Sequence, residues 1–443
     1  MKGLFYFCEM LRTSKKISIK NHSLFKEKLL IWAQKFENVC WLDSNNYSQK
    51  HSSFEAVLAV DCETKIESSY TNAFEKLKEF QTNSKDYLFG YLGYDLKNDV
   101  EKLTSNNFDG LDFSDLYFFQ PKKIFFIKKN DLTVKYLNQY KNEIELDLDL
   151  IKQQQITNTQ EPNDNIKIKL RIHKDEYYSK LNSILKHIYR GDIYEANFCQ
   201  EFYSENSTIN PLEVYQNLNE ISKPPFATFL KITDKYLLSA TPERYLKKVG
   251  NSVISQPIKG TAKRASTNTE DLELIKELEL NPKERAENIM IVDLVRNDLS
   301  RSAIKGSVKV DELCKVYTFE QVHQLISTVS CEVSNQIHPV DLIKDTFPMG
   351  SMTGAPKVSA MKIIEEQEET KRGLYSGAVG YFTPENNFDF NVIIRSILYN
   401  ESKKYVSYSV GGAITAKSIP EQEYEECLIK AKAMKQVLLN LNA

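Results

Sequence analysis

Apolar and polar residues alternate along this chain in two rhythms. In the first 150 residues the short runs ENVCWLDS, FEAVLAVD, DYLFGYLGYDL and KKIFFIKK read as strands, and AFEKLKEF among them carries its apolar residues at helical spacing. This pattern predicts an α/β domain over residues 1–150. The segment IKQQQITNTQEPNDN, residues 151–165, is polar, poor in apolar residues and contains a proline, and reads as a linker or long surface loop.

From residue 166 to 443 the elements lengthen. HKDEYYSKLNSILKHIYRGD places Tyr177, Leu181, Ile184, Leu185 and Ile188 at roughly helical spacing, and Gly191 can stop that helix. ATFLKIT, YLLSATPERY and SVISQPIKG follow as strands, the last ending on Lys259 and turning at Gly260. Next come the helices TEDLELIKELELN and PKERAENIMIVDLVRNDLSR, the second with Asn281 as N-cap and Pro282 at its first position. The strands AVGYF, FNVIIRSILY and YVSYSVGGAI and a helix from Pro420 complete the chain. The mixture predicts an α+β fold, with large antiparallel sheets forming a core flanked by helices.

Charge removes several function classes. The 443 residues carry 58 Lys and Arg against 60 Asp and Glu, a formal net charge of −2, so no basic excess points to nucleic acid. A mean hydropathy of −0.44 and 11% aromatic residues describe a soluble protein. The N-terminal MKGLFYFCEMLRTSKK is too briefly apolar for a signal peptide or a membrane span. Seven cysteines without CxxC or CxxH spacing read as reduced thiols in a cytoplasmic protein.

Several side chains are candidates for chemistry. The last helix has an apolar stripe of Tyr424, Cys427, Leu428, Ala431, Met434 and Leu438, flanked by Glu423, Glu426 and Lys430. Glu284 and Glu287 repeat the i, i+3 pair on the helix from Pro282. Such pairs are either charged helix edges or, on two neighbouring helices, oxygen ligands for one hard cation such as Mg²⁺. GSMTGAPK (350–357) is a glycine-rich turn into a helix whose free N–H groups suit an anion, and it lacks the pattern of a Walker loop. VGGAIT (410–415) lets a ligand approach the backbone. Arg395, inside an apolar strand, either faces solvent or binds a carboxylate. Glu243 in TPERY is a turn carboxylate or, if desolvated, a general acid. Lys259 in QPIKGTAKR is a solvated turn lysine or a nucleophile.

Taken in order, the stretches GDIYEANF, TPER, PIKGT, RAENIMIVDLVRNDL, PMGSMTGAPK, YSGAVGYF, NVIIRSI, VGGAIT and EYEECLIKAK resemble those of the chorismate-utilising enzymes, among them anthranilate, aminodeoxychorismate, isochorismate and salicylate synthases. CWLDS and FGYLGYDL are similar to the N-terminal domain of the anthranilate and aminodeoxychorismate members. Within the family, anthranilate members typically carry PIAGT and aminodeoxychorismate members PIKGT. The resemblance therefore implies that Lys259 attacks C2 of chorismate and that 4-amino-4-deoxychorismate, a precursor of 4-aminobenzoate and folate, is the product. The alternatives are an anthranilate synthase component I and a non-catalytic relative.

The same resemblance assigns further roles. Glu243 corresponds to the general acid for the C4 hydroxyl. Glu287 and Glu426 correspond to Mg²⁺ ligands, with Glu284 and Glu423 in the acidic cluster around them. Tyr375, Arg395, the Gly411–Gly412 backbone and Lys430 correspond to groups that hold the carboxylates, and Thr261 lines the pocket. Two positions depart from the family. Glu195 stands where isochorismate and salicylate synthases have lysine and ammonia-using members have glutamine, and it receives no role. Gln324, beside His323, stands where the family often has histidine, and an amide can hydrogen-bond the leaving hydroxyl but cannot protonate it. No cysteine lies in a glutaminase context, so the resemblance implies a separate glutamine amidotransferase subunit as ammonia source.

Overall fold

The computed structural model describes residues 11–47, 51, 54–156, 166–320 and 322–440. The N-terminal stretch 1–10 and residues 157–165 of the expected linker lie outside the described residues. The start of that linker belongs to the helix Ile144–Gln153, which buries Ile144, Leu148 and Ile151.

All twenty strands among the described residues join one hydrogen-bonded network. One path runs from Leu116–Lys128 through Ala56–Ser68, Asn38–Asp43, Phe226–Ile232, Lys235–Thr241, Ser396–Asn400 and Tyr405–Thr415 to Glu195–Ser204, every pair antiparallel. The other leaves Leu116–Lys128 through Leu88–Leu92, Ala378–Phe382, Phe388–Val392, Arg244–Val249 and Ser252–Gln256 to Val322–Glu332, again antiparallel. Two sheets thus diverge from one long strand.

Strands of the first 150 residues pair directly with strands of the second half. Asn38–Asp43 lies against Phe226–Ile232, and Leu88–Leu92 against Ala378–Phe382. The reason lies in their composition. NVCWLD is buried at all six positions, with Trp41 in one hydrophobic core and Cys40 and Leu42 in the other. A strand apolar on both faces needs cover on both faces and neighbours on both edges. The first core lies between one sheet and the helices Lys174–Arg190, Pro211–Ser222 and Pro420–Leu438; the second takes its helical side from Pro282–Ser300 and Pro339–Thr346.

The expected helix signals operate as read. Gly191 caps Lys174–Arg190 at φ 89°, and its N–H reaches His187 and Ile188. The Asn281 side chain accepts from the N–H groups of Lys283 and Glu284 at the start of Pro282–Ser300. The six described cysteines are free thiols. No helix among the described residues is long and apolar enough to cross a membrane.

Three expected strands are interrupted. YLLSATPERY breaks into Lys235–Thr241 and Arg244–Val249, SVISQPIKG into Ser252–Gln256 and Ile258–Lys263, and FNVIIRSILY into Phe388–Val392 and Ser396–Asn400. Proline removes a ladder donor in the first two. In the third, Arg395 adopts φ 52°, a left-handed conformation incompatible with a continuous strand. Glu243 and Arg395 lie at two of the breaks, and Lys259 lies just past the third, inside the strand Ile258–Lys263.

Candidate active site

Lys259 sits in a bulge, which corrects the expected turn at Gly260. Ile258 pairs with Ile326 and Thr261 with Gln324, so three steps on one strand face two on the other. Gly260 absorbs the extra residue at φ 90°, where a Cβ would lie 3.0 Å from Glu284 Oε2 and from Leu325. The neighbouring helix is tied to the bulge by Asn288, whose amide donates to the carbonyls of Lys259 at 3.5 Å and Leu325 at 3.2 Å. This tie brings Glu284 and Glu287 beside the bulge. The sequence reading missed Asn288, although it lies inside the quoted RAENIMIVDLVRNDL.

The Lys259 amine donates to Glu195 Oε1 at 3.2 Å, and both side chains are largely buried. Burial opposes the ammonium, but Glu195, Glu287 and Glu243 together outweigh it and hold the Lys259 pKa above its ordinary value. Glu195 is 1% exposed, and its second oxygen has no hydrogen-bond partner among the described residues.

Glu243, at the break between two strands, is 4% exposed. Burial pushes its carboxyl up to about 7, against the opposing effects of the Ser351 hydroxyl and Lys259. Ser351 donates to Glu243 Oε1 at 2.6 Å. The glycine-rich segment GSMTGAPK thus delivers a side chain to the acid as well as a turn to the helix. Ser351 was also missed, since the composition of that loop points to its backbone.

Glu284, Glu287, Glu423 and Glu426 gather from the two helices anticipated. Lys283 Nζ lies 4.0 Å from Glu287 and 3.9 Å from Glu423, bridging them. Burial pushes the Glu287 carboxyl up to about 7 and raises those of Glu284 and Glu423. Partial desolvation works the same way on Glu426, but Lys430, 2.5 Å away, holds it below the ordinary range. The Lys259 charge acts on both Glu287 and Glu426, so the two helices face one site. Glu287 Oε1 is buried and accepts no hydrogen bond among the described residues. No three Asp, Glu, His or Cys side chains form a ready cage among the described residues. Two carboxylates with an orphaned oxygen suit a hard cation that keeps water and substrate as its other ligands.

Lys430 also donates to the Gly411 carbonyl at 2.8 Å. The two glycines of VGGAIT differ in what they face. A Cβ on Gly411 would meet Cys199 Sγ at 2.4 Å, which is strand packing; one on Gly412 would lie 3.2 Å from Glu423 and 3.9 Å from Glu426 and Lys430, on the side of the acidic cluster. The Arg395 guanidinium has no ion pair or hydrogen bond among the described residues, and burial lowers its pKa against the opposing charges of Tyr375 and Glu426. Tyr375 is buried, its hydroxyl 3.9 Å from Cys199 Sγ. Thr261 is exposed beside the bulge. Gln324 is buried opposite it, and its Oε1 accepts no hydrogen bond among the described residues. His323 points away by strand alternation: it is fully buried, its Nε2 2.9 Å from Asp271 and its Nδ1 2.9 Å from Thr318. A larger cavity of about 350 Å³, lined by Phe54, Tyr87, Lys135 and Tyr381 among others, shares no residue with this site.

Comparisons with known proteins address the family and the fold. The family described as chorismate binding enzyme matches residues 37–436. A Synechocystis protein named anthranilate synthase component I-like protein is 34% identical over 355 residues, 80% of this chain and 72% of its own. Aminodeoxychorismate synthase component 1 of Bacillus subtilis is 32% identical over 361 residues, 79% of this chain and 76% of its own. The chloroplastic aminodeoxychorismate synthase of Arabidopsis thaliana is 40% identical over 263 residues, 59% of this chain but only 28% of that longer protein. Among solved structures, anthranilate synthase component I from Streptococcus pneumoniae superposes with a TM-score of 0.77 at 24% identity, covering 88% of this chain and 95% of its own. The menaquinone-specific isochorismate synthase MenF from Escherichia coli gives 0.74 at 14% identity, covering 96% and 94%. At those identities the structures speak to the fold alone. With the family spanning nearly the whole chain, and the acid, the amine and the acidic helices meeting at one place, the chain belongs to the chorismate binding enzymes and is a chorismate-utilising enzyme.

Proposed function

We propose that this enzyme converts chorismate and ammonia to 4-amino-4-deoxychorismate through a covalent intermediate on Lys259. The observation that carries this reading is the Lys259 amine, displayed on a strand bulge within the electrostatic reach of Glu243, Glu287 and Glu426. Anthranilate-forming members lack an amine at that place. The relatives named aminodeoxychorismate synthase support the same product, and the words "component 1" in their names support a second subunit. We assign that subunit the role of a glutamine amidotransferase. Its ammonia, or free ammonia, would be the second substrate.

Each side chain has a task in this reaction. Arg395, with no ion pair or hydrogen bond among the described residues, takes a substrate carboxylate. Glu287 and Glu426 would hold Mg²⁺, which when bound supplies positive charge at the ring carboxylate. Lys259 bonds to C2 as the C4 hydroxyl departs. Glu243, with a carboxyl held near 7, still carries a proton at neutral pH in a substantial fraction of molecules and gives it to that oxygen. Ammonia then adds at C4 and expels Lys259, and the enolpyruvyl ether stays.

A second reading, anthranilate synthesis, is favoured by the name of the Synechocystis relative. Product analysis separates the two. The protein is incubated with chorismate, Mg²⁺ and ammonium, and the products are resolved by mass and fluorescence. The expected product has exchanged hydroxyl for amine and kept the enolpyruvyl group; anthranilate as the main product would overturn the proposal. Intact mass after chorismate without ammonia should show an adduct on the wild type and none on Lys259→Ala. A fully active Lys259→Ala variant would remove Lys259 as the nucleophile.

A further inference from the structure

Lys259 starts the cycle with a proton it has to lose. Five carboxylates exert their charge on it: Glu195 from the strand Glu195–Ser204, Glu243 from a strand break, Glu284 and Glu287 from one helix, and Glu426 from another. That crowd favours the ammonium, which has no lone pair to attack with. Glu195 is the carboxylate that hydrogen-bonds the amine, at 3.2 Å. The others have different tasks in the proposed reaction, Glu243 at the C4 oxygen and the helix glutamates at the cation.

The backbone around Glu195 is held on both sides. It pairs with Thr415 on one neighbour and with Ala355 on the other. Gly354 passes so close that a Cβ there would lie 2.1 Å from the Glu195 carbonyl oxygen. Inside this frame the carboxylate is 1% exposed, with Oε1 on Lys259 and Oε2 without a hydrogen bond among the described residues. A buried carboxylate oxygen without a hydrogen bond is an acceptor that the surrounding protein leaves open.

We infer that Glu195 is the proton acceptor that frees the Lys259 amine for attack and returns the proton when that amine leaves. The inference rests on the proposed nucleophilic role of Lys259. The steps balance as follows. A proton passes from Nζ to Oε1, breaking an N–H bond and forming an O–H bond. The freed lone pair bonds to C2, the two ring double bonds each shift by one position, and the C4–O bond breaks. That oxygen takes the Glu243 proton and leaves as water. The lone pair of ammonia bonds to C4, the double bonds shift back, and the C2–N bond breaks with its electrons returning to Nζ. Glu195 reprotonates Lys259, and the new C4 ammonium gives a proton to Glu243. Both acids are restored, and the sum is exchange of hydroxyl for amine.

The test is single-turnover adduct formation from chorismate without ammonia, followed by rapid quench and intact mass between pH 6.5 and 9, in wild type, Glu195→Gln and Glu195→Asp. Glutamine keeps an oxygen acceptor for the amine but cannot take its proton. Glu195→Gln should be slower by about 10²-fold or more at pH 7, a typical value of general-base catalysis, with chorismate binding unchanged. The gap to wild type should narrow by roughly tenfold per pH unit as hydroxide replaces the carboxylate. Glu195→Asp should retain the wild-type pH dependence at a reduced rate. A Glu195→Gln rate equal to or above wild type, or a deficit that does not change with pH, overturns the inference. If Glu195→Gln fails to fold, Glu195→Asp decides: the wild-type pH dependence supports the role, and a dependence rising with pH overturns it. Absence of an adduct on the wild type strikes the nucleophile itself. An adduct that forms equally fast in Glu195→Gln strikes only Glu195.

Discussion

Replacing Glu243 by glutamine removes the acid proposed for the C4 oxygen and, at the same time, a charge that the fold holds at a cost. The carboxyl moves from an ordinary 4.5 up to about 7 because it is buried. That difference corresponds to about 3 kcal/mol between the two protonation states. Its sign follows from proton uptake. Above pH 7 the folded protein keeps an ionised, desolvated carboxylate, whereas the unfolded chain exposes the same carboxylate to water. As pH falls from 7 toward 4.5 the folded state takes up a proton that the unfolded state does not, and stability rises. Glutamine is neutral throughout and imitates the protonated acid, including an acceptor for Ser351. Glu243→Gln should therefore exceed the wild type by about 3 kcal/mol at pH 8.5, and the advantage should vanish near pH 4.5. Its turnover should fall by about 10²–10⁴-fold. Urea unfolding of both proteins at pH 5 and pH 8.5, with chorismate consumption measured alongside, reads all three quantities. A stability gain equal at both pH values, no gain at pH 8.5, or wild-type turnover would each refute the reasoning.

Two further substitutions probe how the site is held. Gly354→Ala would force a Cβ to within 2.1 Å of the Glu195 carbonyl oxygen at a backbone φ of 159°, and should destabilise the protein by about 3 kcal/mol or more, visible as a melting point lower by roughly 3 °C or more. Arg395→Ala removes a guanidinium that has no ion pair or hydrogen bond among the described residues, so KM for chorismate should rise by about 10²-fold while thermal stability stays level or increases. An unchanged KM would detach Arg395 from the substrate.

Much of this architecture was legible in the chain. Helix limits were written in local chemistry, as Gly191 and Asn281 illustrate, because a cap depends on residues within one turn. The glutamates of the two site helices were legible for the same reason, since i, i+3 spacing fixes a shared face. What escaped was tertiary. The hydrophobic pattern marks which residues can be strands, and it cannot mark where the ladder stops. FNVIIRSILY reads as one strand, yet Arg395 interrupts it, because the partners on either side are different strands: Phe388–Val392 pairs with Ala378–Phe382, and Ser396–Asn400 with Tyr405–Thr415. The role of Ser351 was hidden in the same way. A serine in a glycine-rich loop has no period, and its partner Glu243 is 108 residues away. The sequence signal of a division near residue 150 was real in composition, but NVCWLD is apolar on both faces and recruits neighbours from across it.

Two ladder breaks, at Glu243 and Arg395, and the bulge at Lys259 explain why the reactive groups can be buried at all. A charged side chain on a regular strand faces either solvent or a packed core, and in the core its charge is intolerable unless it is paired. A break changes the direction in which the side chain leaves the backbone and opens room beside it. Glu243 answers the cost of burial by holding its proton and Lys259 by pairing with Glu195, whereas Arg395 has no ion pair among the described residues and suits an incoming anion. Their charges are complementary to a dicarboxylate whose hydroxyl leaves as its ring gains a nucleophile. Neutralising Glu243 or Arg395 should relieve the fold and impair the reaction, so stability and activity should move in opposite directions at these two positions, whereas neutralising Lys259 leaves the buried Glu195 unpaired, and there, as at Gly354, both should fall together.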